Sequence, residues 1–325
     1  MSTPHVKAVF GGFSIGPGQY FSDEENIKKI YDLLEKGGCD TIDTARLYGR
    51  SEEFMGRTGA GGRFTIDSKT PGGIIPGGST GEGILQHAKE SVERLKVKSL
   101  DVYYIHAPDP SLDLEDQLKG INEAFKAGYF KRFGLSNFTA PDVQRVYDIC
   151  RAKGYPCPTV FQANYNPVAR RAEEDLIPLL RRLNIALYVY SPIAGGLLTK
   201  TSEQLRGKGP DAGRFGAGDA LEKLYGPMYN KPAFYEALDL WGEAAKDAGC
   251  SRAELAYRWV AFDSAIDYKY GDAVIFGASK HSQIPETLGW LRGGSVGEAA
   301  KVKIEAIWKL IEHVAPLDNY NSTRH

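Results

Sequence analysis

Eight short β-rich runs alternate with amphipathic helical stretches along the 325 residues. Strands joined by right-handed helical crossovers can close on themselves and leave no sheet edge exposed. Together these features predict a (β/α)8 TIM barrel in one domain spanning residues 1–325. The length alone would also allow two domains, but such barrels routinely use it for one. An open doubly wound sheet is the rival architecture.

The expected strands are His5 to Phe10, Cys39 to Thr44, Arg63 to Ser68, Asp101 to His106, Lys131 to Ser136, Thr159 to Gln162, Ala186 to Tyr190 and Ala273 to Phe276. The first helix, Asp23 to Lys36, carries Ile27, Ile30, Leu33 and Leu34 at helical spacing behind an acidic start, and Gly37-Gly38 stops it. Further helices are expected at Gly81 to Leu95, Leu114 to Ala127, Ala140 to Lys153, Ala172 to Leu183, Ala233 to Ala248 and Ser282 to Arg292. An extra C-terminal helix, Glu298 to Val314, has no strand after it. The stretch Ser191 to Pro232 after strand seven is too long for an ordinary connection. In a barrel it would cover the face where strand-to-helix loops gather, so it is expected to cover cofactor or substrate. Gly207 to Ala212 within it matches GxGxxA, but no strand precedes it and Pro210 interrupts it, so it is not a dinucleotide fingerprint.

Composition is that of an ordinary globular protein, 42% hydrophobic and 25% charged. Forty basic and forty-one acidic side chains give a net charge of −1, which provides no global attraction to nucleic acid or an anionic membrane. The four cysteines form no CxxC pair and read as reduced thiols. Neither a signal-peptide pattern nor an eighteen-residue apolar run occurs, so the expected location is the cytoplasm. The glycosylation-like triplets at Asn137 and Asn321 would then have no chemical consequence. No clustered metal ligands are evident, and a metal-dependent barrel hydrolase is correspondingly disfavoured.

Ionisable residues occur at strand ends that a barrel would gather on one face. Asp43 ends strand two, Tyr48 follows in the loop, Lys69 ends strand three and His106 ends strand four. Each has a plain alternative: a capping carboxylate, one of 18 tyrosines, a surface charge and a core histidine. At successive strand ends they make a proton-donating site. A free phenol, with its pKa near 10, is a sluggish proton donor at neutrality. A lysine ammonium beside it would favour phenolate, an aspartate would hold that lysine, and His106 would orient a carbonyl oxygen.

The run Ile42-Asp43-Thr44-Ala45-Arg46-Leu47-Tyr48-Gly49, then Lys69, then Tyr104-Ile105-His106, resembles the aldo-keto reductases. The likeness continues in Gly134 to Phe138, Phe161 to Asn166 and Tyr190 to Thr199. Gly213-Arg214-Phe215 and Gly271 to Ser279 are most similar to the branch that includes aflatoxin-aldehyde and succinic-semialdehyde reductases. The resemblance implies NADPH-dependent reduction of an aldehyde or ketone, with Tyr48 as the acid and Asp43, Lys69 and His106 as its catalytic partners. It also implies that Ser136, Asn137 and Gln162 hold the nicotinamide carboxamide and that Tyr190 stacks on the ring.

Ser191, Pro192, Ile193, Gly195, Leu197, Thr199 and Lys200 would then wrap the pyrophosphate. Ser279, Lys280 and Gln283, with Arg214 as a second cation, would hold the adenosine 2′-phosphate, although related reductases often carry an arginine near Gln283, and Gly277 would also belong to the cofactor site. Acid-reducing relatives follow Tyr225 with an arginine-bearing stretch, whereas this chain has Gly226-Pro227-Met228-Tyr229. A neutral or bulky carbonyl substrate is therefore expected, in a pocket lined by Phe13, Phe21, Tyr225 and Met228. Arg214 or Arg324 would be the substitute cation if acids were preferred. The resemblance also allows a homodimer, and an alternative role as an NADPH-binding regulatory or redox-sensing subunit.

Overall fold

The structure, a computed structural model, describes residues 5–323 apart from Lys208, Gly209, Ala217 and Asp219. Its eight strands are β1 (Lys7–Gly11), β2 (Thr41–Asp43), β3 (Thr65–Thr70), β4 (Leu100–Ile105), β5 (Phe130–Ser136), β6 (Pro158–Asn164), β7 (Ala186–Tyr190) and β8 (Ala273–Phe276). They run parallel in sequence order and close through β1 with β8, in register from Lys7↔Ala273 to Phe10↔Phe276. The open doubly wound alternative is thereby excluded.

Alternation along each strand divides the apolar material between two cores. Outward side chains such as Ile42, Tyr103, Phe133, Phe161, Val189 and Phe276 pack beneath the helices. Val9, Val102, Tyr104, Val160, Ala186, Tyr188, Ala273 and Ile275 fill the barrel interior. The β7–β8 seam is pinned by Asp272, whose carboxylate accepts from Leu187 N at 2.7 Å and from Arg181 Nη1 at 2.9 Å.

The helices are α1 (Glu24–Lys36), α2 (Ser51–Arg57), α3 (Gly81–Leu95), α4 (Leu114–Lys126), α5 (Ala140–Lys153), α6 (Leu176–Arg182), α7 (Ser202–Gly207), α8 (Ala220–Tyr229), α9 (Pro232–Asp247), α10 (Arg252–Arg258), α11 (Gln283–Trp290) and α12 (Glu298–Ile311). Five helix starts follow capping chemistry: Asp23, Thr80, Asp113, Thr139 and Ser251 each accept a backbone N–H of the first turn. The expected helix from Ala172 to Leu183 is instead a short 3-10 turn, Arg171–Glu173, followed by α6. Pro178 explains the division, because proline fits only within the first turn of a helix.

The segment after β7 carries its own short helices, as its length implied, and α12 is the extra C-terminal helix. Two short helices, α2 and α10, went unread because seven residues give too little periodicity to recognise. No helix among the described residues is long and apolar enough to cross a membrane.

Candidate active site

A cavity of about 1000 Å³ opens at the C-terminal ends of the strands and runs from Tyr48 and His106 to α11. Asp43 and Lys69 stand side by side because β2 and β3 are adjacent and both side chains point into the barrel. Lys69 is fully buried, and its Nζ donates to Asp43 Oδ1 at 2.7 Å, Asp43 Oδ2 at 2.6 Å and Thr44 O at 2.7 Å. These contacts engage all three ammonium protons.

Tyr48 lies in the loop between β2 and α2, held by a Tyr48 N to Ala45 O bond and a Ser51 N to Tyr48 O bond. Its ring meets Phe13 edge-on at 5.2 Å and His106 at 5.9 Å, and Lys69 Nζ lies 5.3 Å from its centroid. The sequence-based expectation that Lys69 acidifies this phenol needs correction. Burial first, then the Asp43 carboxylate and Tyr225, push Tyr48 well above the ordinary phenol value, while Lys69 spends its protons on Asp43 and Thr44. Tyr48 is therefore protonated at neutral pH. Burial, followed by the Lys69 charge, holds His106 far below the usual imidazole range, so it is neutral. Its buried Nδ1 has no hydrogen-bond partner among the described residues.

Several expected cofactor residues also face the cavity: Asn137, Gln162, Tyr190, Ser191, Pro192, Ile193, Gly195, Thr199, Lys200, Arg214, Gly277, Ser279 and Gln283. Gln162 Nε2 donates to Asp43 Oδ1 at 3.0 Å, and Tyr190 Oη donates to Asn137 Oδ1 at 2.7 Å. Asn137 and Ser191, which line the cavity, adopt left-handed φ values of 60° and 54°, so two points of the cavity wall hold backbone strain. Gly195 has φ 68°, and a Cβ there would lie 2.5 Å from the Tyr225 ring, so this position requires glycine.

Other expected residues sit elsewhere. Ser136 lies behind Asn137, whose Nδ2 donates to Ser136 Oγ at 3.1 Å. Leu197 is fully buried in the core beneath the loop, and Lys280 is exposed outside the cavity lining. Gln283 Oε1 accepts from Ser279 N at 2.7 Å and Lys280 N at 3.1 Å, so it already caps the backbone groups expected to meet a phosphate. On the substrate side Phe13 and Tyr225 line the cavity, but Phe21 and Met228 do not. Phe21, 2% exposed, packs against His281, and Met228, 1% exposed, belongs to the core under α8. The helix turns Met228 inward, which the sequence did not reveal. Arg324, the alternative cation, lies outside the described residues.

Sequence reasoning missed the C-terminal segment. Tyr320 and Asn319 line the cavity, Asn319 N donates to Tyr190 Oη at 3.5 Å, and Asn321 Nδ2 donates to Asn137 O at 3.1 Å. Asp318 anchors the segment through Tyr320 N at 2.8 Å and Asn321 Nδ2 at 2.6 Å. The segment has no periodic pattern that could have flagged it. Tyr20, Leu47 and Ile74 at the cavity rim and Glu286 on the α11 wall were likewise unread.

The model of the aldo/keto reductase family matches residues 7–293. The chain belongs to that family. It is 36% identical over 313 residues to the oxidoreductase sirO of Leptosphaeria maculans, covering 95% of this chain and 94% of that one. It is 34% identical to aldo-keto reductase family 7 member A3 of Homo sapiens, covering 87% and 88% of the two chains. Aflatoxin B1 aldehyde reductase member 2 of Mus musculus is 32% identical, covering 92% of this chain and 84% of the relative. This aldo-keto reductase is thus an oxidoreductase of the carbonyl/alcohol couple, in the branch anticipated from its motifs. Members of the family generally use a nicotinamide cofactor. Among the described residues, no group of three or more His, Cys, Asp or Glu is arranged to hold a metal.

Proposed function

We propose that this aldo-keto reductase reduces a neutral or bulky aldehyde or ketone with NADPH, using Tyr48 as the proton donor. The observation that carries the reading is the Tyr48 ring at one end of the cavity, 5.9 Å from the His106 ring and 5.3 Å from the Nζ of Lys69, which is itself paired with buried Asp43. A nicotinamide cofactor fits that cavity. The Tyr190 ring forms part of its wall, Gly195 and Gly196 bring bare backbone to it, and Lys200 and Arg214 supply two cations.

When bound, the cofactor supplies a hydride to the carbonyl carbon. Tyr48 breaks its O–H bond to give the proton to the carbonyl oxygen as negative charge develops there. His106, neutral, donates a ring N–H to the same oxygen and fixes its direction. Lys69 and Asp43 neutralise one another beneath the phenol, so the developing oxyanion meets no net buried negative charge. Asn137 and Gln162, both lining the cavity, would hold the carboxamide, with Tyr190 tying Asn137 in place. NADPH is preferred over NADH in this reading through Lys200 and Arg214, partly opposed by Glu286 on the α11 wall. The relatives named aflatoxin B1 aldehyde reductase are named for reduction of an aldehyde. Here a large apolar substituent would meet Phe13, Leu47, Ile74 and half-exposed Tyr20 at the rim.

Coenzyme oxidation with a panel of acidic and neutral carbonyls tests the reading, run with NADPH and NADH on the native protein and on Tyr48→Phe. The substitution should lower kcat at least about 100-fold while NADPH still quenches the protein's fluorescence with similar affinity. Near-native turnover by Tyr48→Phe would sink the proposal.

A further inference from the structure

One buried acid remains outside this chemistry. Asp67 of β3 is fully buried, two residues before Lys69 and therefore on the same, inward face of the strand. Its register partner on β2 is Asp43, so two carboxyl groups project into the barrel from paired positions on neighbouring strands. Both cannot be ionised cheaply at that spacing unless a cation serves each. Lys69 is spent on Asp43 and Thr44, and Arg132 of β5, the cation that relieves Asp67, pairs with Asp101 at 2.7 Å and Tyr188 Oη at 3.2 Å.

Asp67 Oδ1 accepts from Val102 N at 3.0 Å, while its buried Oδ2 has no partner among the described residues. The same is true of Tyr104 Oη, on the inward face of the adjacent strand β4. Room for the Tyr104 ring is made by Gly134 of β5, where a Cβ would lie 2.4 Å from it. Two unpartnered buried polar atoms on neighbouring strands suit a carboxylic acid and a phenol bridged through one buried water.

We propose that Asp67 is a positioning residue of the reductase, a neutral carboxylic acid that leaves Asp43 as the site's lone buried anion while Tyr48 acts. Its proton sits on Oδ2. Losing it sends one proton to water at the opposite mouth of the barrel, where Arg132 and Asp101 reach solvent, and leaves a second negative charge beneath the Asp43–Lys69 pair. That charge opposes the negative charge growing on the carbonyl oxygen, so reduction slows. The groups facing Asp67 are Asp43 of β2, Lys69 of its own strand, Asp101 and Tyr104 of β4, Arg132 of β5 and Tyr188 of β7. In agreement, burial first, then Asp43 and Asp101, push the Asp67 carboxyl up to about 7 against the relief from Val102 N and Arg132.

The effect on turnover rests on Tyr48 being the donor, but the protonation of Asp67 does not, and the experiment separates the two. Infrared difference spectra of the native protein carrying carboxyl-labelled aspartate should show a carboxylic-acid band at about pH 6 that is gone by about pH 9. The band should be missing in Asp67→Asn and present in Asp318→Asn, which controls for the other buried carboxyl held above its usual range. In steady-state assays, native kcat should fall at least about 10-fold over the same interval, and that limb should flatten to under about 3-fold in Asp67→Asn. If Asp67→Asn does not fold, the labelled native protein and Asp318→Asn still decide whether a buried aspartic acid titrates there. Absence of the band at about pH 6, or an unchanged kcat limb in folded Asp67→Asn, overturns the proposal. A band with no kcat limb in the native protein would refute the effect on turnover alone.

Discussion

Lys69 shows how one side chain constrains several others. Every proton of its ammonium is committed within 2.7 Å, twice to Asp43 and once to Thr44 O. Lys69→Met would leave Asp43 buried with only Gln162 Nε2 as a side-chain donor. Breaking a buried pair by removing one partner usually costs about 3–5 kcal/mol. Chemical denaturation of this variant should therefore show a loss of about that size, together with a fall in kcat. Asp67 offers a test with the opposite sign. Its carboxyl rises from an ordinary 3.8 to about 7, so the folded chain holds a proton that the unfolded chain releases between those values. Its contribution to stability is present below 3.8 and is lost as the pH rises toward 7. Asp67→Asn should accordingly gain on the native protein over that interval, by up to ~4 kcal/mol from the shift itself. A pH-independent difference in denaturation midpoints would contradict the assignment.

At the scale of elements, α8 decides which reading of the substrate wall survives. It runs from Ala220 to Tyr229 despite Pro227, and it turns Tyr225 to the cavity and Met228 to the core. On sequence alone Gly226 to Tyr229 stands where acid-reducing relatives carry an arginine-bearing stretch, which makes Met228→Arg a route to acid binding. The helix reverses that expectation. At 1% exposure, an arginine at this position would bury a charge without a partner. Met228→Arg should lower the thermal midpoint by roughly 10 °C or more, judged from a loss of several kcal/mol, and bring no gain in kcat/KM for an acidic aldehyde. The same helix presses the Tyr225 ring against Gly195 and near Arg214, whose guanidinium lies 5.7 Å from the ring centroid. The loop after β7 is therefore shaped by α8 as much as by its own glycines.

At the scale of the whole molecule, closure of the barrel brings the chain's C-terminal segment back over β5 and β7. There Asp318, Asn319 and Asn321 brace Asn137 and Tyr190. Ending the chain after Ala315 should leave the barrel folded, with a thermal midpoint within about 5 °C. It should lower kcat/KM at least about 10-fold, because positioning at the nicotinamide wall is lost. Equal kcat/KM in the shortened protein would show the brace to be idle. The alternation of strands and helices, the strand-end residues Asp43, Lys69 and His106, and the Tyr48 loop were all legible in the chain. Their signals are local: periodicity, capping and short spacings act within a few residues of one another. The pairing of Asp43 with Asp67, the exhaustion of Lys69, the inward turn of Met228 and the return of Asn319 to Asn321 were decided only by tertiary structure. Each depends on which strands become neighbours or which face a helix buries, and contacts across tens to hundreds of residues leave no periodic trace in a single sequence.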